Sequence, residues 1–195
     1  HTQSSAASDV YKRQPYTWQL VQEFQGKDAI FTMPGMPIKC AGAPQKAMYL
    51  SCDHWQKTGR LSGMNVSFCN AGPVLFGCAT YVPPLMKYVD KYGINLDFGH
   101  NLTKIDGASK TAWFKVTKEG EEPQMIERKF DMIHVCPPQC APDFISKSPL
   151  ANAGGWVDVD QETLQHTGFP NVFSLGDVAS TPNAKTAAAA RKQAP

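Results

Sequence analysis

Two places in this chain are equipped for chemistry, the pair Gly176-Asp177 and the single residue Cys40. Asp177 follows the apolar run Val172 to Leu175 and one glycine. A short apolar run between turn residues reads as a buried strand. Gly176 then lets the backbone approach a ligand closely. A carboxylate at the carboxyl end of a strand stands where open α/β sheets bind ligands. The Ala-rich segment from about Asn183 is expected to be a helix, with Asn183 as its N-cap. Its positive end would face whatever Asp177 holds. Lys185, in the expected first turn, opposes that dipole unless an anion lies nearby; by itself it also reads as a solvated surface lysine. Strand, glycine and acid alone describe an ordinary strand, turn and helix equally well.

Cys40 lies in the loop Pro34 to Pro44, between Lys39 and Lys46. A thiolate is a nucleophile and has to be stabilised. The two lysines raise the local positive potential, and backbone N–H groups around Gly42 can turn inward. A cysteine judged without its context is a buried inert thiol. Cys52 and Cys69 are expected to pack in the core, and Cys78 has no assigned role. His134, Cys136 and Cys140 allow a metal-ligand or redox reading. Strand alternation aims His134 and Cys136 to one face, but Pro137-Pro138 intervenes and no second ligand pair follows at zinc-site spacing.

These residues need elements to position them. Asp28 to Met33 reads as a strand and Pro34-Gly35-Met36-Pro37 breaks it. Pro44 suits the first turn of a helix over about Gln45 to Thr58, in which Met48, Cys52 and Trp55 share one face. Gly59 closes that helix, and Met64 to Asn70 is a second strand. Strand, helix, strand is a βαβ unit and predicts a parallel pair. A dinucleotide-binding unit places G-x-G-x-x-G in its first loop and an acid after its second strand. This one has neither; a cysteine stands in the loop instead. Upstream, Trp18 to Phe24 reads as a short amphipathic helix. Downstream, a helix ends near Gly93, Ile94 to Phe98 and Leu102 to Ile105 are strands, and Thr111 to Thr117 pairs with Gln124 to Arg128 across a hairpin. Asp131 to Val135 is a further buried strand, Trp156 to Asp160 another, and Thr163 to His166 a turn.

The chain has 195 residues, 42% hydrophobic and 18% charged, enough for one large or two small domains with a real core. A net charge of +2 without a basic block gives no reason to expect nucleic acid. No apolar run reaches the length of a membrane span. Six irregularly spaced cysteines do not make a disulfide scaffold.

The stretch Asn171 to Asp177 with Lys185 to Ala189 resembles the second flavin-binding motif of the pyridine nucleotide-disulfide oxidoreductase superfamily. Phe31 to Pro34, Lys39 to Lys46 and Trp156 to His166 narrow the resemblance to the sulfide:quinone oxidoreductase family, over nearly everything after Gln14. The resemblance implies an α/β fold, a Rossmann-like two-dinucleotide-domain flavoprotein in which the NAD-type domain is degenerate and carries a β-meander. It implies FAD, with Gly176, Asp177, Lys185 and Thr186 as cofactor-binding residues and Asp177 on the ribityl chain. It implies that Cys40 is one of two redox cysteines whose disulfide or trisulfide is opened by sulfide, and that electrons pass through FAD to a membrane quinone.

Several expectations follow about extent. Residues 1–14 look like a non-native leader, with Ser4 to Gln14 resembling translated adapter sequence. Residues 15–135 form the degenerate nucleotide-binding-type domain, 136–155 a connecting loop and 156–195 part of the FAD domain. The chain reads as an interior fragment that lacks the amino-terminal glycine fingerprint. It also lacks a carboxyl-terminal segment carrying the second redox cysteine and a membrane-facing surface, so the fragment alone is expected to be inactive. The family's place is peripheral, on the bacterial cytoplasmic membrane or the mitochondrial inner membrane. The competing readings are an NAD(P)H-dependent flavin oxidoreductase and a non-catalytic zinc-binding or interaction module on His134, Cys136 and Cys140.

Overall fold

The structure, a computed structural model, describes residues 6–194. It separates into two compact units: Gln14–Gly35 with Ala41–Pro137, and Met36–Cys40 with residues 138–194, residues 6–13 being grouped with the latter.

In the first unit, β1 (Asp28–Met33), β2 (Asn65–Asn70), β3 (Asn95–Phe98) and β7 (Met132–His134) form a parallel sheet in the order β3-β2-β1-β7. Ala29, Ile30, Phe31 and Thr32 are all buried, as expected of a central parallel strand covered on both faces. Phe31 faces a core with Met48, Cys52, Trp55 and Phe68, and Ile30 faces another with Cys69, Ala112 and Phe114. The helix α2 (Gly42–Lys57) supplies Met48, Cys52 and Trp55 from one side, and the Trp55 indole N–H donates to Val21 O at 2.9 Å. Burial pushes the Cys52 thiol up to about 12, so it is a packing group. Helix α3 (Val82–Tyr92) ends on Gly93, whose φ of +63° permits the left-handed stop. The meander β4 (His100–Asp106), β5 (Thr111–Val116) and β6 (Gln124–Lys129) is antiparallel throughout. Gly99 joins it to β3 at φ +70°, where a Cβ would lie 2.2 Å from Thr117 O, so no larger residue fits.

One boundary here differs from expectation. The helix expected over Trp18 to Phe24 is α1 (Ala6–Glu23), which runs through part of the segment set aside as a leader, with Pro15 inside it. The good helix formers Ala6, Ala7, Lys12, Arg13 and Gln14 extend it without any apolar stripe to announce it. Residues 1–5 of that leader lie outside the described residues.

The second unit has little regular structure. Its ladder contacts are isolated bridges: Ala151 to Val157, Val157 to Ala179, Val159 to His166 and Gln165 to Phe173. Its core is Val157, Val159 and Ala179, with Ile145, Leu150 and Val178 packed against them. Two helices belong to it, α4 (Asp143–Ser146) and α5 (Ala187–Gln193). The strand expected at Trp156 to Asp160 is thus reduced to bridges at Val157 and Val159. The buried strand expected at Val172 to Leu175 is not formed: Phe173 is 64% exposed and only Phe173 makes a bridge. An apolar run becomes a buried strand when neighbours cover both its edges, and among the described residues this one lacks them. His166 acts as a local hub. Its Nδ1 accepts from the Gly168 and Phe169 N–H groups at 2.9 and 3.1 Å, which leaves Nε2 to donate to Leu150 O at 3.0 Å.

Candidate functional site

The second unit brings the segment Met36–Cys40 against the loop that follows Gly176. The Ile38 carbonyl accepts from the Lys185 backbone N–H at 3.0 Å. The Lys39 N–H donates to the Gln139 side-chain oxygen, which fixes the segment from its other flank. Lys39 Nζ lies 3.8 Å from an Asp177 carboxylate oxygen; the lysine side chain is 7% exposed and the carboxylate 48%. Cys40 is half-buried, and its φ of +90° is a conformation that side-chain-bearing residues rarely adopt. Such strain persists only where surrounding contacts hold it, and it is concentrated at functional sites.

Gly176 has φ +69°, and the bridge of Val157 to Ala179 holds the far side of its loop: Val157 N–H donates to Val178 O at 2.8 Å and Ser180 N–H to Val157 O at 2.9 Å. Asp177 sits in a single 3₁₀ turn, Gly176–Val178, with its carboxylate half-exposed. Lys185 departs from both expectations made for it. It precedes the helix and is 4% exposed, with Nζ donating to Ala179 O at 2.7 Å and Thr181 O at 2.9 Å, 5.0 Å from the Trp156 ring. Burial lowers its pKa, the Asp177 charge offsets part of that, and Lys39 adds to the lowering. The expected cap is also corrected. Asn183 donates its side-chain amide to Ala184 O, and the N-cap is Thr186, whose Oγ1 accepts from Ala189 N–H at 3.0 Å. Both Asn and Thr serve as caps. The chain turns helical only after Lys185 has been buried, which leaves Thr186 as the residue in place.

The remaining cysteines separate cleanly. Cys52 and Cys69 are fully buried. Burial pushes the Cys69 thiol up to about 12 despite the Arg128 guanidinium 3.3 Å away. Cys78 and Cys140 are exposed, and the half-buried Cys136 donates its backbone N–H to Thr32 Oγ1. Burial holds the His134 imidazole below its usual range. Among the described residues no three His, Cys, Asp or Glu side chains converge on a metal-sized point. Sequence reasoning missed three contributors: Gln139, Trp156 and Thr181. It also missed Asp97, an acid beside β2. Asp97 comes from β3, opposite Cys69, and is held by Arg128 Nη1 at 2.5 Å.

No protein-family model matches the chain. Among curated proteins it is 41% identical over 177 residues to the mitochondrial sulfide:quinone oxidoreductase of Mus musculus, covering 91% of this chain and 39% of that protein. The mitochondrial sulfide:quinone oxidoreductase of Dictyostelium discoideum is 44% identical over 171 residues, covering 87% of this chain and 37% of that protein. The chain therefore spans about two fifths of the length of the curated relatives it matches. Among solved structures, the sulfide:quinone oxidoreductase of Aquifex aeolicus superposes with a TM-score of 0.68 at 18% identity, over 92% of this chain and 43% of that one. That likeness shows the α/β fold.

Proposed function

We propose that this chain, a sequence relative of the sulfide:quinone oxidoreductases, serves in its intact protein to oxidise sulfide and pass the electrons through FAD to a quinone. The observation that carries this reading is that one compact unit places the Cys40 segment beside Asp177, through the Lys39–Asp177 pair and the Lys185 to Ile38 hydrogen bond. The segment that carries Cys40 and the acid at Asp177, far apart in sequence, are thereby joined through Lys39, which supports the reading of one as nucleophile and the other as cofactor ligand.

Asp177 fits the cofactor. Its carboxylate is half-exposed next to a glycine, and among the described residues its one ion pair is at 3.8 Å, so its lone pairs remain open to a ribityl hydroxyl. Lys185 fits a different role. With its ammonium given to two carbonyl oxygens, it shapes the loop through which Asp177 is presented. Thr186 caps α5 by accepting the Ala189 N–H, and its hydroxyl keeps an O–H to offer a ligand, its backbone N–H and carbonyl being already paired with Ala184 O and Ala190 N–H. FAD supplies the two-electron acceptor that a thiol lacks. Cys40 supplies the sulfur chemistry. In a disulfide with a second cysteine, its S–S bond is opened by hydrosulfide: one sulfur gains the incoming sulfur as a persulfide and the other leaves as a thiolate carrying the electron pair. The buried Lys39 holds Asp177 and the Cys40 segment together while this happens. The relatives named above are mitochondrial, and a peripheral place on the mitochondrial inner membrane is part of the same proposal. Among the described residues no helix is long and apolar enough to cross a membrane.

The test is Cys40→Ser in the intact protein. Oxygen for sulfur keeps the size and removes the nucleophile. The variant should retain FAD, bleach with dithionite, and lose sulfide-driven bleaching by several orders of magnitude. Prompt bleaching by sulfide would sink the assignment of Cys40.

A further inference from the structure

Cys40 ends the segment Met36–Cys40, and two hydrogen bonds hold the residues just before it. Ile38, which is buried, gives its carbonyl to the Lys185 N–H at 3.0 Å. The Lys39 N–H donates to the side-chain oxygen of Gln139. Gln139 is half-buried and stands on a stiff support. Pro137 and Pro138 precede it with fixed φ, Ala141 is buried, and Pro142 O accepts from the Ile145 N–H at 2.9 Å to start α4. Helix α2 begins at Gly42, and Ala41 already has right-handed helical geometry, φ −61° and ψ −16°. The turn from the held segment into the helix therefore falls on Cys40, whose φ is +90°. Among the described residues the other side chains at positive φ are Lys110 at +49° and Leu164 at +60°, both near the small left-handed region that such residues can enter. Cys40 lies beyond that region, and a conformation of this kind persists only where surrounding contacts impose it.

We propose that Gln139 is a positioning residue for Cys40: its side-chain oxygen fixes the Lys39 N–H, and this bond, with the one at Ile38, holds Cys40 at its strained φ and so sets the direction of the thiol. The direction of a Cα–Cβ bond follows from the backbone. Were Lys39 free to turn, φ of Cys40 would relax into the ordinary negative range and the Sγ would point elsewhere. Gln139 takes no part in bond making; it accepts a backbone N–H and acts through Cys40. The inference rests on the functional reading above, in which the Cys40 sulfur reacts with sulfide and hands electrons to FAD. Reacting atoms have to meet at roughly 3–3.5 Å, and a misplacement of about 1 Å costs on the order of a hundredfold in rate. A side chain that fixes the backbone one residue away from the sulfur therefore bears on the rate of that step.

Two variants of the intact flavoprotein test this. Gln139→Leu removes the acceptor and keeps the bulk, and Gln139→Glu keeps an acceptor. The rate of flavin bleaching at saturating sulfide should fall roughly tenfold to a hundredfold in Gln139→Leu, with the half-saturating sulfide concentration unchanged, and Gln139→Glu should recover most of it. The backbone is read separately by a cycle of four variants. Glycine tolerates a positive φ and alanine does not, so Cys40→Gly should melt above Cys40→Ala by roughly 2 °C. With Gln139→Leu added to each, that gap should close, because the released segment no longer imposes the conformation. An equal gap in both backgrounds overturns the assignment, and so does an unaltered bleaching rate in Gln139→Leu. Should Gln139→Leu lose its flavin, Gln139→Asn, whose side chain is one methylene shorter, takes its place in both measurements. Failure of the functional reading shows separately, as a wild-type flavin that sulfide does not bleach. The melting cycle needs no sulfide and then still decides whether Gln139 sets the Cys40 backbone.

Discussion

Lys185, Thr186 and Asn183 are adjacent in function and nearly adjacent in sequence, yet the structure gives each a different task. A lysine at a helix start suggests either a nearby anion or a solvated surface. The third arrangement, an ammonium buried on backbone carbonyls, leaves no pattern in the sequence because its acceptors are carbonyls that every residue carries. Its consequence is measurable. Lys185→Met keeps the apolar stem but strands the Ala179 and Thr181 carbonyls, at about 1–3 kcal/mol for each buried acceptor left unpaired. Urea unfolding of the variant should show a loss of about 2 kcal/mol or more. A solvated lysine would give a change within about 0.5 kcal/mol. Cys40 and Asp177 were singled out by residue type and loop position, and the structure carries both in the second unit. Thr181 was not, since an unpaired hydroxyl is defined only by its surroundings.

The elements of the first unit were legible for a physical reason. β1 carries the apolar run Ala29 to Phe31, α2 repeats its apolar residues with a helical period, and Gly93 marks a helix stop, so local pattern and tertiary burial agree. The second unit is held by single bridges and side-chain hydrogen bonds, which have no period, and its expected strands at Trp156 and Val172 did not materialise as ladders. One contact in the first unit shows how far apart in sequence a cap can be. Asp131 accepts from the backbone N–H groups of Lys27 and Asp28 at 2.8 and 3.1 Å at the start of β1. Those bonds lower its pKa, and the Lys110 charge lowers it further. A carboxylate depressed in the folded state contributes stability that is full above its unfolded value, near 3.9, and is lost as pH falls through the folded value. Thermal midpoints of Asp131→Asn should therefore fall below wild type at neutral pH, and the two should converge on acidification through that window. Parallel curves would mean that the carboxylate charge adds nothing.

At the scale of the molecule, the parallel order β3-β2-β1-β7 with an inserted meander is a nucleotide-binding topology from which the phosphate-binding loop has been replaced. The loop after β1 carries prolines and Cys40 where glycines would cradle a pyrophosphate. Asp97, opposite Cys69 in the sheet, is held by Arg128. Under the proposed function the electron source is sulfide and not a nicotinamide. The most direct test is an anaerobic titration of the oxidised, intact flavoprotein, followed by its flavin absorbance. Sulfide should bleach the flavin rapidly and a benzoquinone should restore it, while NADH leaves the spectrum unchanged. Saturable bleaching by NADH with no response to sulfide would contradict the account.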